Sequence, residues 1–323
     1  MGIMRYVDLG PARASVVGLG TWQFGSREWN YGSHYAGDTA KRIIERALEL
    51  GVNLIDTAEM YGFGASERII GSVLSQVPSG AIIATKLVPF SYSPAYAASR
   101  CAKSRERLGV DAIDLYQVHF PNPADRLERL AKALDGLVEQ GMTRSVGVSN
   151  FSVASWDRLG RLAKSPIVSN QVHYSLLERG PEAEHLPYAL ANSKVVIAYS
   201  PIEQGVLSGK YGRSNRPRDI RRMNRHFAPD ALERMQPLLA TLARVAKAHD
   251  ASPAQIALAW VVSHPNVIAI PGASSVAQLE SNAASADIEL SREELAELEA
   301  ASDLYRESAG NRALRALRTR IGI

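Results

Sequence analysis

Six times along this chain a short β-branched segment runs straight into a polar side chain, and that recurrence limits the folds open to it. Val52-Asn53-Leu54-Ile55 is followed by Asp56, Ala81-Ile82-Ile83-Ala84-Thr85 by Lys86, and the segment Ile113 to Val118 by His119. Val146-Gly147-Val148 leads into Ser149 and Asn150, Ile167-Val168-Ser169-Asn170 into Gln171, and Val195-Val196-Ile197-Ala198 into Tyr199. Each polar group is thereby placed at the C-terminal end of a strand. In a parallel barrel of alternating strands and helices these ends open on one face, where active sites are built.

The segments between the strands have helical periodicity. In 38–50, Ile43, Ile44, Ala47, Leu48 and Leu50 recur at helical spacing and Gly51 ends the run. The same reading gives helices over 66–76, 95–108, 125–140, 153–163 and 182–192, one helical stretch over 231–264 interrupted near Ser252-Pro253, and helices over 276–285 and 292–304. With Val17-Gly18-Leu19-Gly20 as the first barrel strand and Val267 to Ile270 as the last, the count is eight. The fold class expected is α/β, a (β/α)8 TIM barrel, preceded by a β-hairpin cap over residues 4–17 and followed by extra C-terminal helices. No linker or low-complexity segment divides the 323 residues, so a single barrel domain over 1–323 is expected.

Composition narrows the function. At 46% hydrophobic and 22% charged the chain supports a packed core. The formal net charge is only +4, and the Arg-rich stretch 213–225 carries +5 by itself, so no nucleic-acid partner is expected. One cysteine, Cys101, excludes an internal disulfide and a Cys-based metal cluster, and no metal is expected. The N-terminus lacks a leader pattern and no apolar run approaches the roughly 18 residues of a span, which predicts a cytoplasmic protein without a membrane partner. A hydrolase on this barrel is disfavoured because no Gly-x-Ser-x-Gly elbow occurs. Gly209-Lys210 lacks the spacing of a phosphate-binding P-loop, and Gly62-Phe63-Gly64 lacks the third glycine of a dinucleotide fingerprint.

The strand-end residues suggest carbonyl chemistry. Tyr61, five residues beyond Asp56, is a phenol with an ordinary pKa near 10, too high for effective proton transfer unless a cation stabilises its anion. Lys86, one strand over, is placed to supply that cation, Asp56 to keep the lysine charged, and His119 to donate a hydrogen bond to a substrate oxygen. This set suits protonation of a carbonyl while hydride arrives from elsewhere.

The words of the sequence then become specific. Asn53-Leu54-Ile55-Asp56-Thr57-Ala58-Glu59-Met60-Tyr61-Gly62 with Ser66-Glu67, Ile83-Ala84-Thr85-Lys86, Asp114 to His119, Gly147 to Phe151, and Ile270-Pro271-Gly272-Ala273-Ser274 resemble, in order, the motifs of the aldo-keto reductase family. The resemblance runs from about Arg5 to Leu304. It implies a barrel that binds NADPH or NADP+ without a separate nucleotide domain and reduces an aldehyde or ketone. Catalytic roles fall to Asp56, Tyr61, Lys86 and His119. It further implies cofactor contacts from Thr21, Trp22 and Asp56, from Ser149, Asn150 and Gln171 on the carboxamide, and from Tyr199 stacked on the nicotinamide. Ser200, Pro201, Ile202, Gln204, Gly205 and Lys210 match the pyrophosphate segment, and Gly272, Ser274, Gln278 and Asn282 the adenosine end. There the chain departs from the pattern: Ser274-Ser275-Val276 stands where many members place Arg or Lys. A cation from the Arg-rich loop, Arg218 or Arg221, is expected to complete a 2′-phosphate site.

Trp22, Trp29, Tyr31, Phe90 and Phe120 are the expected walls of the substrate pocket, for a small-molecule carbonyl. The same motifs also resemble the β subunits of voltage-gated potassium channels, nicotinamide-binding regulatory subunits that typically have Asn where this chain has His119. The alternative function is therefore a regulatory subunit with little turnover. The tail 305–323 reads as a docked amphipathic helix, and the oligomeric state is left open.

Overall fold

A computed structural model of the chain describes residues 4–25, 38–76 and 80–305. Trp29, Tyr31 and all but the first residue of the expected C-terminal amphipathic helix lie outside the described residues. The chain begins with an antiparallel hairpin, β1 (Tyr6–Leu9) and β2 (Ala12–Ser15), with Tyr6 opposite Ser15 and Leu9 opposite Ala12. Eight parallel strands follow: β3 (Leu19–Gly20), β4 (Leu54–Asp56), β5 (Ile82–Leu87), β6 (Ile113–Val118), β7 (Thr143–Ser149), β8 (Ile167–His173), β9 (Val195–Tyr199) and β10 (Val267–Ala269). Each pairs with the next in sequence order, and the last returns to the first. The Gly18 amide donates to Ala269 at 2.8 Å, Ala269 to Val16 at 2.8 Å, and Gly20 to Pro271 at 3.0 Å, closing the expected (β/α)8 barrel.

Side chains alternate across the barrel wall, as strand geometry requires. Ile55, Ile83, Tyr116, Val146 and Val196 face outward into the large core under the helices. Leu54, Ala84, Leu115, Ile197 and Ile268 face inward and form a small apolar core, in which Leu9 and Ala14 of the hairpin are also buried. The hairpin thus seals one end of the barrel. Two residues further along four strands, on the same inward face, come Asp56, Lys86, Gln117 and Tyr199, so the interior changes from apolar to polar toward the C-terminal mouth.

The helices are α1 (Ala40–Glu49), α2 (Ala65–Leu74), α3 (Pro94–Leu108), α4 (Leu127–Glu139), α5 (Val153–Leu162), α6 (His185–Ala191), α7 (Pro229–Arg234), α8 (Gln236–Ala248), α9 (Pro253–Val262), α10 (Val276–Ala284) and α11 (Arg292–Asp303). Local signals set their ends: in α3 the Ser93 side chain accepts from the Tyr96 amide, Pro94 occupies the first turn, and Gly109 terminates the helix at φ 66°. The stretch expected over 231–264 is three helices. The break at Ser252-Pro253 is present, with Ser252 and Gln255 forming a reciprocal cap, and a second falls at Met235, ahead of Pro237, which has no N–H to continue a helical ladder. Lys86 and Gln171 lie within their strands, not beyond them, because their backbones pair with Gln117 and Ile197 in the neighbouring strands.

The seam between β3 and β10 leaves no room for a side chain, since a Cβ on Gly20 would lie 2.6 Å from the Ile270 carbonyl oxygen. Gly20→Ala must push these strands apart, and a loss of about 1–3 kcal/mol in urea unfolding is expected. An unchanged unfolding midpoint would mean that the seam yields freely.

Candidate active site

Four of the residues singled out in the sequence meet at the barrel mouth. Lys86 and Asp56 are almost wholly buried, with side-chain exposures of 0% and 3%. An ammonium group has three protons to donate, and here all have acceptors: Asp56 Oδ1 at 2.5 Å, the Thr57 carbonyl at 2.8 Å and Tyr61 Oη at 3.3 Å. Burial works against the charged lysine, but the Asp56 carboxylate and the Tyr61 oxygen outweigh it, so its pKa is raised. The other Asp56 oxygen accepts from Gln171 Nε2 at 2.7 Å and Gln117 Nε2 at 3.3 Å.

The tyrosine behaves differently from the expectation. Burial raises its pKa, Lys86 lowers it, Asp56 raises it again, and the net direction is upward. Lys86 therefore moderates a shift that burial dominates, and the phenol keeps its proton at neutral pH. Its placement depends on a tight turn: Gly62 and Phe63 both have left-handed backbones, at φ 55° and 54°, and a Cβ on Gly62 would come 2.7 Å from the Gly25 carbonyl. Two buried carboxylates fasten this segment to its surroundings. Glu59 accepts from the Val88 amide at 2.7 Å and from Arg100 Nε at 2.7 Å, while Glu67 accepts from Thr85 Oγ1 and Arg107 Nε, both at 2.6 Å.

The His119 ring lies edge-on to Tyr61, with centroids 6.0 Å apart, and stacks on Phe120 at 4.7 Å. Its Nδ1 is buried and has no hydrogen-bond partner among the described residues. Burial and the nearby Lys86 ammonium lower its pKa to about 3, so the ring is neutral. One side of the mouth is apolar: Trp22 lies 6.4 Å from Tyr61, and Phe90, 83% exposed, flanks with Phe120 a groove of about 330 Å³ that also takes in Pro89, Pro121 and Asn122.

On the other side, Ser149 Oγ donates to the Gln171 carbonyl at 2.9 Å. Asn150, held at φ 61°, donates to the His119 carbonyl at 3.1 Å and accepts from Tyr199 Oη at 3.0 Å. The turn after Tyr199 has left-handed residues at Ser200, Glu203, Gln204 and Gly205, with Pro201 buried and Ile202 against the core, and it leads to the exposed Lys210. Thr21 Oγ1 is occupied within the protein, donating to the Asp56 carbonyl at 2.8 Å. At the start of α10, Gln278 Oε1 accepts from the Ser274 amide and hydroxyl, both at 2.8 Å, Asn282 donates to the Gly272 carbonyl at 3.2 Å, and Gly272 is covered by Gln23. The two candidate arginines differ. Arg221 grips Asp219 through two hydrogen bonds of 2.8 and 2.6 Å, whereas Arg218 is exposed and has no ion pair or hydrogen bond among the described residues.

Sequence reasoning missed Gln117. Its Nε2 reaches Asp56, and its Oε1 is buried without a partner among the described residues. The alternation Leu115, Gln117, His119 on the inward face was the available signal.

A (β/α)8 barrel with an aspartate, tyrosine, lysine and histidine converging at its C-terminal mouth places the chain among barrels whose polar site lies at the strand ends. The profile of the Aldo/keto reductase family matches residues 16–303, and the chain belongs to that family. It is 46% identical over 312 residues, 96% of this chain and 97% of the other, to an uncharacterized oxidoreductase of Mycobacterium tuberculosis. Among solved structures it resembles the glycerol dehydrogenase AKR11B4 of Gluconobacter oxydans, with a TM-score of 0.85, 32% identity and coverage of 94% and 95%. It is also similar to an aldo-keto reductase of Klebsiella pneumoniae in complex with NADPH, with a TM-score of 0.77, 30% identity and coverage of 95% and 97%.

The lowered His119 pKa makes stability depend on pH. An unfolded imidazole titrates near 6.5, so between about 3 and 6.5 the unfolded chain binds more protons and stability falls as the solution is acidified through that window. In His119→Asn this contribution should be absent, giving a flatter urea midpoint between about pH 4 and 6. An identical slope in both proteins would place the titrating group elsewhere.

Proposed function

We propose that this protein is an NADPH-dependent reductase of aldehydes or ketones, with Tyr61 as the general acid. The observation that carries the reading is the Tyr61 hydroxyl 3.3 Å from the buried Lys86 ammonium, which Asp56 holds at 2.5 Å, with the His119 ring edge-on to the phenol at 6.0 Å. The donors on the far side of the mouth fit a nicotinamide dinucleotide in kind: amides at Asn150 and Gln171, a hydroxyl at Ser149, an aromatic ring at Tyr199 and an exposed cation at Lys210. Bound NADPH supplies the hydride.

The side chains do the rest. The neutral His119 ring donates an N–H to the carbonyl oxygen and fixes its direction. Tyr61 Oη gives its proton to that oxygen as negative charge develops there, and the phenolate left behind faces the Lys86 ammonium. Asp56 keeps the lysine charged through the cycle. The preorganised charge costs no reorganisation at the moment of transfer, which is where electrostatic catalysis gains its effect.

The assay is oxidation of NADPH on addition of 4-nitrobenzaldehyde. Tyr61→Phe should retain NADPH binding and lose turnover by roughly two decades or more, the scale of general acid catalysis. Near wild-type turnover in the folded variant would sink the assignment, and NADPH binding without turnover in the wild type would return the alternative, a nicotinamide-binding regulatory subunit.

Cofactor choice can be tested at the Arg-rich loop. Because Arg221 is already paired with Asp219, Arg218 is the better candidate for the 2′-phosphate. Charge-assisted contacts contribute on the order of 1.5–3 kcal/mol, so Arg218→Ala should weaken NADPH about tenfold or more and leave NADH affinity unchanged. Equal losses for the two cofactors would show that Arg218 does not read the phosphate.

A further inference from the structure

Behind Tyr199 lies a buried ionic cluster that the proton-transfer site does not use. His173 and Tyr199 end neighbouring strands and are register partners, and their rings stack with centroids 5.1 Å apart and planes 18° from parallel. His173 Nε2 is 2.6 Å from Glu203 Oε1. Glu203 is completely buried, and the same oxygen accepts from Ser175 Oγ at 2.7 Å. Its other oxygen has no hydrogen bond among the described residues and lies 3.9 Å from His226 Nε2, beyond which Glu178 pairs with Arg225. Burial would neutralise the Glu203 carboxyl, yet His173, His226 and Ser175 outweigh it and bring its pKa down to about 2.

A buried carboxylate is costly unless its partners are held in place, so a cluster of this kind is rigid where it is satisfied. Glu203 also belongs to the turn that follows Tyr199, with a left-handed φ of 50° unusual for a residue with a side chain. One carboxylate therefore ties that turn to the end of β8. The ring it orients covers one face of Tyr199, while Asn150 holds the Tyr199 hydroxyl at 3.0 Å. The hydroxyl bond to Asn150 fixes one edge of the Tyr199 ring, and the His173 ring stacked on its face limits tilting of its plane.

We propose that His173 and Glu203 are positioning residues for the nicotinamide platform: Glu203 fixes His173, and His173 fixes the plane of Tyr199, whose opposite face receives the nicotinamide. The inference rests on the reading of Tyr199 as the stacking aromatic. A platform ordered before binding spares the cofactor the loss of that side chain's freedom, an effect of about three- to tenfold in affinity. It also sets where the hydride donor sits relative to the carbonyl, so kcat at saturating NADPH depends on it while KM for the carbonyl does not.

The test compares His173→Ala, the isosteric Glu203→Gln, Tyr199→Ala and the double variant His173→Ala/Tyr199→Ala. Dissociation constants are measured for NADPH and for 2′-phospho-ADP-ribose, which has the adenosine and pyrophosphate parts but no nicotinamide, together with kcat and KM. Each single variant should weaken NADPH by about three- to tenfold, lower kcat, and hold the fragment within about twofold of wild type. In the Tyr199→Ala background, His173→Ala should cost nothing further, because the ring it positions is gone. Wild-type NADPH affinity in both His173→Ala and Glu203→Gln, equal weakening of NADPH and the fragment, or additive losses in the double variant would each overturn the proposal. If Tyr199→Ala itself leaves NADPH affinity unchanged, the platform reading fails and the proposal with it. A loss in Tyr199→Ala with none in His173→Ala and Glu203→Gln removes the positioning pair alone.

Discussion

The pair formed by Lys86 and Asp56 is the interaction on which the site depends. Two opposite charges inside a barrel are stable only as a set: removal of one leaves the other buried and uncompensated, at a cost of about 3–5 kcal/mol. Here the set is complete, since the ammonium has three acceptors and the carboxylate also takes two amide donors. The strands impose this arrangement. Asp56, Lys86 and Gln117 stand on the inward faces of β4, β5 and β6, and Gln171 on that of β8, so the backbone ladder fixes their spacing before any substrate arrives. The phenol and the imidazole take their protonation states chiefly from burial, and the Lys86 charge acts on both, moderating the upward shift of Tyr61 and adding to the downward shift of His119.

The closure of the barrel explains why the charge can be buried there. Apolar side chains fill the lower interior, and the polar layer begins two residues later along the strands, a consequence of period-two alternation in segments that read in the sequence only as β-branched runs ending in something polar. Loops supply the remaining parts. The Tyr61 turn is braced by Glu59 and Glu67 and by the close approach of Gly62 to Gly25, so a residue on a loop is held almost as firmly as one on a strand.

Much of this was legible in the sequence. The eight strands, the hairpin and the convergence of Asp56, Tyr61, Lys86 and His119 at the barrel mouth follow from strand-end polarity, helical spacing and motifs that resemble a known family. What escaped shows where local pattern ends. Met235 interrupts a helical stretch whose periodicity continues across it, and only the backbone consequence of Pro237 marks the break. Gln117 lies inside β6, one residue short of its end, so the pattern of a polar group that follows a strand does not reach it. The upward shift of Tyr61 could not be read from the identities of its neighbours, because burial, a three-dimensional quantity, exceeds the influence of Lys86. Glu203 and His173 stand 30 residues apart and meet only because β8 and β9 are adjacent.

The hairpin has a consequence for the electric field at the mouth. Leu9 and Ala14 close the far end of the barrel with hydrocarbon, so the interior opens toward the C-terminal mouth, with the Lys86 ammonium buried beneath it and Tyr61 half-buried above. The polarisability of the site is then set largely by whatever lies across that opening. A substrate that covers it lowers the local dielectric, and every charge interaction beneath it strengthens together. The molecule thus uses an apolar stopper at one end to make its ionic chemistry responsive to occupancy at the other.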